Sequence, residues 1–210
     1  MTFAELKAQT FRRLREVSPG VFASEADIEQ AINEGYQEIS DATEWCERWQ
    51  TIDLLRERPY YDLRTVVGPS LLAISAAYHE DNNRWLVPTS LHELDGIDRR
   101  WEARIGPPER LLTRGLWWLG YWPRAGSDSG TIKQYYISLP DALADDDEEP
   151  GFPEPFHEAL ADFAVADLVA QDAEAKQAML AWDSYLAREA GLRKWVRERA
   201  EVQTVRGSRR

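Results

Sequence analysis

An α+β protein is predicted: a helical bundle core of two N-terminal and two C-terminal helices, with a mainly β insertion between them. Three observations predict it. Apolar residues recur at spacings of three and four near both ends of the chain. The middle changes to short alternating runs punctuated by Gly, Pro, Asn and Asp. The 210 residues are 43% hydrophobic and 30% charged, a globular composition with enough chain for one packed core.

The elements follow in order. Residues 2–17 read as a helix, with Phe3, Leu6, Thr10, Leu14 and Val17 on one stripe, ended by "SPG" at 18–20. Ser24 opens a second helix, with Asp27 three residues on as a near capping box. Its stripe is Ile28, Ile32, Tyr36, Ile39, Thr43 and Cys46. From Trp49 the texture changes. "WQTIDLL" alternates as a strand, and Pro59 in the next extended piece favours a sheet edge. "LLAISAAYHEDNNRWLVP" reads as two strands around a polar tip. Ser90 and Glu93 cap a short helix to about Arg100, with Leu91, Leu94 and Ile97 turned inward. "RLLTRGLWWLGYWPRAGSDSGTIKQYYISLP" supplies two or three more strands, with "RAGSDSG" as a loop. Pro153 and Pro155 then mark a helix start, with Phe156, Leu160 and Phe163 inward. A last helix from about Asp172 carries Met179, Trp182 and Leu186 on its inward stripe. Gly191 is a point where it ends or kinks, with Trp195 and Val196 placed to continue a helix that carries the basic residues, and "QTVRGSRR" reads as ordered only when something binds it.

The expected organisation is a helical core from residues 1–48 and 140–195, a β-rich insertion over 49–139 with one short helix, and a basic C-terminal arm over 196–210. Net charge is −12, which argues against a free-standing nucleic-acid binder. The charge is uneven. Residues 188–210 carry eight Lys/Arg against three Glu, a net +5, leaving −17 for the rest. Such asymmetry suits a basic end that meets an acidic partner, or a solvated tail. Cys46 is the single cysteine, so no intrachain disulfide and no cysteine-based metal site forms. Glu5 and Lys7 in the first turns do not read as a secretory leader, and no apolar run approaches a membrane span.

Catalytic patterns are sparse. His79, His92 and His157 lack the spacing of a helical metal site, and no HExxH or phosphate-loop motif occurs. His157 lies beside Glu158, but adjacent helix positions diverge. "GSDSG" lacks the strand and helix context of a nucleophile elbow. Six carboxylates fall within Asp141–Glu149, without the alternation or central glycine of a calcium loop. Nine tryptophans and eight tyrosines are residues of cores and of interfaces. The densest stretch, "GLWWLGYWP" at 115–123, read as a strand, buries one face and exposes large aromatics on the other.

Four stretches together resemble the head–tail adaptor (connector) proteins of tailed bacteriophages and related gene-transfer particles. They are "TFAELKAQTFRRLRE", "ASEADIEQAINEGYQEISDATEW", "PYYDL" with the later "LVPTSLHELDGIDRRW", and "YYISLPDALADDDEEPGFPEPFHEALADFAVADLVAQD". Their order and spacing carry the likeness, over most of residues 2–172. The tryptophan-rich 115–123 segment and the basic end after Gly191 depart from it. The resemblance implies a structural protein of the virion neck, without catalysis, cofactor or metal. Copies, commonly twelve, form a ring beneath the portal protein, extend the channel for passing double-stranded DNA without reading its sequence, and seat a downstream tail or neck protein. On that reading Trp195, Arg197, Arg199, Arg206, Arg209 and Arg210 are a candidate portal-docking arm. Trp117, Trp118, Tyr121 and Trp122 are a candidate tail or subunit interface. Asp145, Asp146, Asp147, Glu148 and Glu149 are a candidate channel-facing loop. Alternatives are another neck protein (stopper or tail-completion), a small metal-dependent hydrolase using Asp145–Glu149 with His157, and an isolated DNA-binding module.

Overall fold

A computed structural model describes residues 1–17, 23–127, 130–171 and 175–207. In chain order its elements are α1 (Phe3–Val17), α2 (Glu25–Thr43), β1 (Glu47–Asp53), β2 (Tyr60–Asp62), α3 (Leu63–Val66), β3 (Leu71–His79), β4 (Arg84–Trp85), β5 (Val87–Pro88), α4 (Leu91–Ile97), β6 (Arg110–Arg114), β7 (Trp118–Trp122), β8 (Thr131–Ser138), α5 (Glu158–Gln171) and α6 (Ala175–Gly207). The fold is α+β, with helices at both ends and strands in the middle. Two compact units result, one from Met1–Cys46 with Leu139–Arg210, the other from Glu47–Ser138.

In the helical unit, α5 packs against α1, α2 and α6. Its sequence, EALADFAVADLVAQ, places Ala159, Leu160, Ala161, Ala164, Val165, Ala166, Leu168 and Val169 all out of solvent. A helix apolar around its circumference must be covered around its circumference, and α5 is the axis of the bundle. Phe3, Leu6 and Leu14 of α1 and Ile28, Ile32, Tyr36 and Ile39 of α2 complete the core. α2 is sharply bounded. Ser24 and Asp27 form a full capping box, and Glu44, at φ 55°, donates its N–H to the Ser40 carbonyl at 2.9 Å. Gly35 lets α5 approach, since a Cβ there would sit 2.7 Å from Cδ1 of Phe163.

α6 corrects two expectations. Its inward residues are Ala178, Tyr185 and Leu192, whereas Met179 and Leu186 face outward and Trp182, 40% exposed, lies at the edge with its ring against Phe163 and Tyr185. The helix also runs past Gly191 to Gly207. Gly191 is there for packing: a Cβ would meet Cε1 of Phe156 at 3.2 Å. The proposed helix end at 18–20 and the start near Asp172 lie outside the described residues.

The second unit has two four-stranded sheets, ordered β1-β8-β3-β4 and β2-β7-β6-β5. Ile52, Ala77 and Ile132 of the first share a core with Tyr61, Leu111, Leu119 and Tyr121 of the second. β2, which follows Pro59, is an edge strand, as its missing ladder donor requires. β1 and β8, the first and last strands, pair antiparallel from Glu47↔Ile137 to Asp53↔Thr131. The unit therefore leaves and rejoins the chain at one edge of one sheet. Two sequence readings change here. Asp62 caps the backbone N–H of Arg64 and starts α3, within what the sequence offers as an extended piece. Val87 and Pro88 do not extend the β3–β4 hairpin but pair parallel with β6 in the other sheet.

Candidate assembly surfaces

The acidic segment is a folded latch on the N-terminus of α1. Phe3 and Ala4 donate their backbone N–H groups to the carbonyls of Glu148 (2.7 Å) and Asp146 (3.1 Å). These are orphan donors of the first helical turn, where the helix dipole also favours negative charge. Glu148 accepts from the N–H groups of Ala144 (2.6 Å) and Asp145 (3.2 Å), which hold its carboxyl below the usual range. Asp146 meets Lys7 at 2.7 Å, and Lys7 also reaches Glu29 at 2.8 Å and Glu25 at 3.1 Å. Hydrogen bonds to Asp146, Glu29 and Glu25, in that order, raise the Lys7 ammonium well above its ordinary pKa. Asn33 clamps the loop from α2, donating to the Leu143 carbonyl (3.1 Å) and accepting from its N–H (2.8 Å). The Tyr36 hydroxyl accepts from Gly151 N–H at 2.9 Å. Within the "INEGY" run of α2, Asn33 and Tyr36 fasten the loop and Gly35 admits Phe163. Asp145, Asp147 and Glu149 remain exposed.

Beside the latch, Arg13 of α1 and Arg188 of α6 converge on Glu158 and Asp162 of α5. Arg188 Nε lies 2.9 Å from Asp162 and its Nη2 2.6 Å from Glu158. Arg13 contacts Glu158 at 3.1 Å and also pairs with Asp162, which takes a third bond from Ser184 Oγ at 2.8 Å. Burial opposes ionisation of Glu158, but the charges of Arg188 and Arg13 outweigh it and leave the carboxyl below its usual pKa. These are structural ties among three helices. His157 is buried, with Nε2 at 2.7 Å from the Phe152 carbonyl and Nδ1 at 3.1 Å from the Met1 amino group. Both ring nitrogens are engaged, with the N-terminal amino group and with a backbone carbonyl. Among the described residues no cluster of His, Cys, Asp and Glu is placed to hold a metal ion. "GSDSG" includes Asp128 and Ser129, which lie outside the described residues.

In the sheet unit the aromatic strand behaves differently from the expectation of one exposed face. Trp118 is exposed and Trp117 partly buried, but Tyr121 and Trp122 are both in the interior. Tyr121 points between the sheets, where its hydroxyl donates to Gln134 Oε1 at 3.1 Å. Trp122, on the opposite face, is covered by Leu94 of α4 and by Trp101, whose carbonyl accepts its indole N–H at 2.9 Å. The same inward demand explains α4, where Leu94 is buried and Leu91 and Ile97 are not. The unit's most exposed aromatics sit on the other sheet. Trp49 (57% exposed) and Trp85 (56%) flank Tyr135, with Lys133 Nζ 3.8 Å above the Trp49 ring and Trp85 packed 5.1 Å from Tyr78. Trp49↔Tyr135 and Tyr78↔Trp85 are register partners, so these rings form one continuous outer face.

The outward face of α6 is the helical unit's largest apolar exposure. Met179 and Leu180 are each 65% exposed, with Trp182 and Leu186 beside them. Further along, Trp195 packs partly buried against the helical core, with the Arg199 guanidinium 5.1 Å over its ring. Arg197 and Arg199 are exposed. Arg206 lies within α6, and Arg209 and Arg210 lie outside the described residues. The basic end is a helical rod for most of its length.

The sequence model of one family, described as SU10 adaptor protein, matches residues 1–209. The chain belongs to the SU10 adaptor protein family. A search of curated proteins finds no match. Membership makes this a phage adaptor-type protein, a structural component that contacts other phage proteins. Neither unit of the adaptor has a helix, among the described residues, long and apolar enough to cross a membrane. Sequence reasoning missed the Trp49–Tyr135–Trp85 face of this adaptor, although the signal was present: the three rings fall at outward positions of alternating strands.

Proposed function

We propose that this adaptor is the head–tail connector of a tailed phage or a related gene-transfer particle. It forms a ring, of about twelve copies on the family resemblance, beneath the portal protein in the virion neck. The helical unit builds the ring, and the far end of the basic arm, Arg206, Arg209 and Arg210, docks on the portal. At about 1.5 Å per residue, the eleven positions from Arg197 to Gly207 extend about 16 Å, enough to reach into an acidic groove. The Trp49–Tyr135–Trp85 face receives the downstream tail or neck protein, because desolvating clustered aromatics is a strong source of binding energy. The exposed carboxylates Asp145, Asp147 and Glu149 line the path of ejecting DNA, where they repel phosphate and keep the duplex from sticking.

The single observation that carries this reading is the family match along 209 residues of a chain that leaves large aromatic and aliphatic side chains uncovered on both units. Electron microscopy of the protein with its portal tests it. The expected image is the portal with one added twelvefold ring, lost on deletion of residues 197–210 although the deletion protein keeps its helical circular dichroism. A sixfold addition assigns a stopper or tail-completion role instead. No association with portal or tail components overturns the reading.

A further inference from the structure

The outer faces of α2 and α6 carry opposite, unbalanced charge. α2 contains no Lys or Arg. Glu34, Glu38 and Asp41 follow one another at spacings of four and three along its exposed side. Among the described residues no cation pairs with any of the three. Glu34 accepts only the amide of Gln30 at 2.8 Å. α6 shows the converse. Its exposed Lys194 lies 3.8 Å from Glu198, a loose contact; Arg197 is exposed, and Arg199, also exposed, lies over the Trp195 ring. N-terminal to these cations on the same helix is the apolar run of Met179, Leu180, Trp182 and Leu186.

Both helices pack on α5 and also touch one another, but among the described residues no ion pair joins Glu34, Glu38 or Asp41 of α2 to Lys194, Arg197 or Arg199 of α6 within one chain. A surface and its complement displayed on separate faces of one rigid bundle is the condition for head-to-tail association, in which each copy uses a different patch toward each neighbour. Like charges along α2 also disfavour a symmetric contact of α2 with α2. The α6 face joins an apolar area, which supplies desolvation energy, to a basic end, which sets register against carboxylates.

We propose that the α6 face of one copy seats on the acidic α2 face of the next, and that this contact closes the ring. The proposal rests on the adaptor reading and adds to it the two surfaces and the polarity of the joint. Its test is charge reversal in the full chain, read by mass photometry and negative-stain imaging with and without the portal. The α2 variant is E34K/E38K/D41K; the α6 variant is K194E/R197E/R199E. All six sites are exposed, and circular dichroism monitors folding. Each variant alone is expected to need at least about tenfold more protein to assemble, because like charge then faces like at every joint. A one-to-one mixture of the two restores rings of even copy number, since each joint again pairs opposite signs. An M179S/L180S variant weakens assembly in both high and low salt, whereas the wild-type joint weakens as salt rises. Reversed variants that assemble like the wild type, or a mixture that does not recover, overturn this joint while leaving a ring intact. A wild-type chain that forms no ring, alone or on the portal, overturns the adaptor reading itself.

Discussion

α5 and α6 lie side by side in one bundle, and neither shows a clean apolar stripe, for opposite reasons. α5 is apolar on most sides because α1, α2 and α6 cover most of it. α6 is apolar on two sides because one faces that core and the other faces outward, with only Trp182 leaning back on Phe163. The same residue types therefore serve folding in one helix and remain available for assembly in the next. Counting hydrophobic residues does not separate these uses; only knowledge of which side is covered does.

The difference predicts how the helices respond to truncation. Tyr185→Ala, on the covered side of α6, and Leu160→Ala, in α5, should each cost about 3–4 kcal/mol, because neighbours packed on all sides leave a cavity behind. Chemical denaturation of the full chain measures this. If Leu160→Ala costs less than about 1 kcal/mol, α5 is not the axis described above.

The ion-pair node sharpens the comparison, since it holds α1 and α6 to the polar end of an otherwise apolar helix. Asp162→Ala removes a nearly buried acceptor shared by Arg13, Arg188 and Ser184. With the arginines partly solvated, a loss of about 2 kcal/mol is expected rather than the larger figure for a fully buried pair. The pH dependence has a definite sign. Glu158 and Glu148 ionise more readily in the folded chain than their usual value of 4.5. Their contribution is present above that value and is lost as pH falls through the folded-state pKa. Thermal melts should lose stability below about pH 4.5, and Glu158→Gln should flatten that slope. A melt independent of pH across that window would show that the node does not couple to folding.

Much of the helical unit was legible in the sequence because its inner stripes repeat at helical spacing: Phe3, Leu6 and Leu14, or Ile28, Ile32, Tyr36 and Ile39. Ser24 and Asp27 gave the start of α2. α6 was misread because Met179, Trp182 and Leu186 make as regular a stripe as Ala178, Tyr185 and Leu192, and periodicity does not say which stripe turns inward. In the sheet unit the alternation of β7 was correct. The error was to assume one uncovered face, when α4 and Trp101 arrive from earlier in the chain to cover Trp122. Such long-range coverage leaves no local trace. The acidic loop was legible as charge and not as a cap, since its essential groups are the backbone carbonyls of Asp146 and Glu148, which every residue possesses.

The smallest expected effect is the most telling. Leu180→Ser removes a leucine side chain as Leu160→Ala does, but from a position 65% exposed. Stability should change by no more than about 0.5 kcal/mol, in either direction, because little apolar surface returns to water on unfolding. Solubility of the free chain should rise, since one exposed aliphatic group in a contiguous patch is gone. If α6 spends its outer side on a partner, the same substitution that leaves the melt unchanged must lower the tendency to associate. A variant that melted early would mean that Leu180 is already covered within its own chain. The contrast between the two helices would then be one of degree, with α6 another core helix whose partner had gone unrecognised.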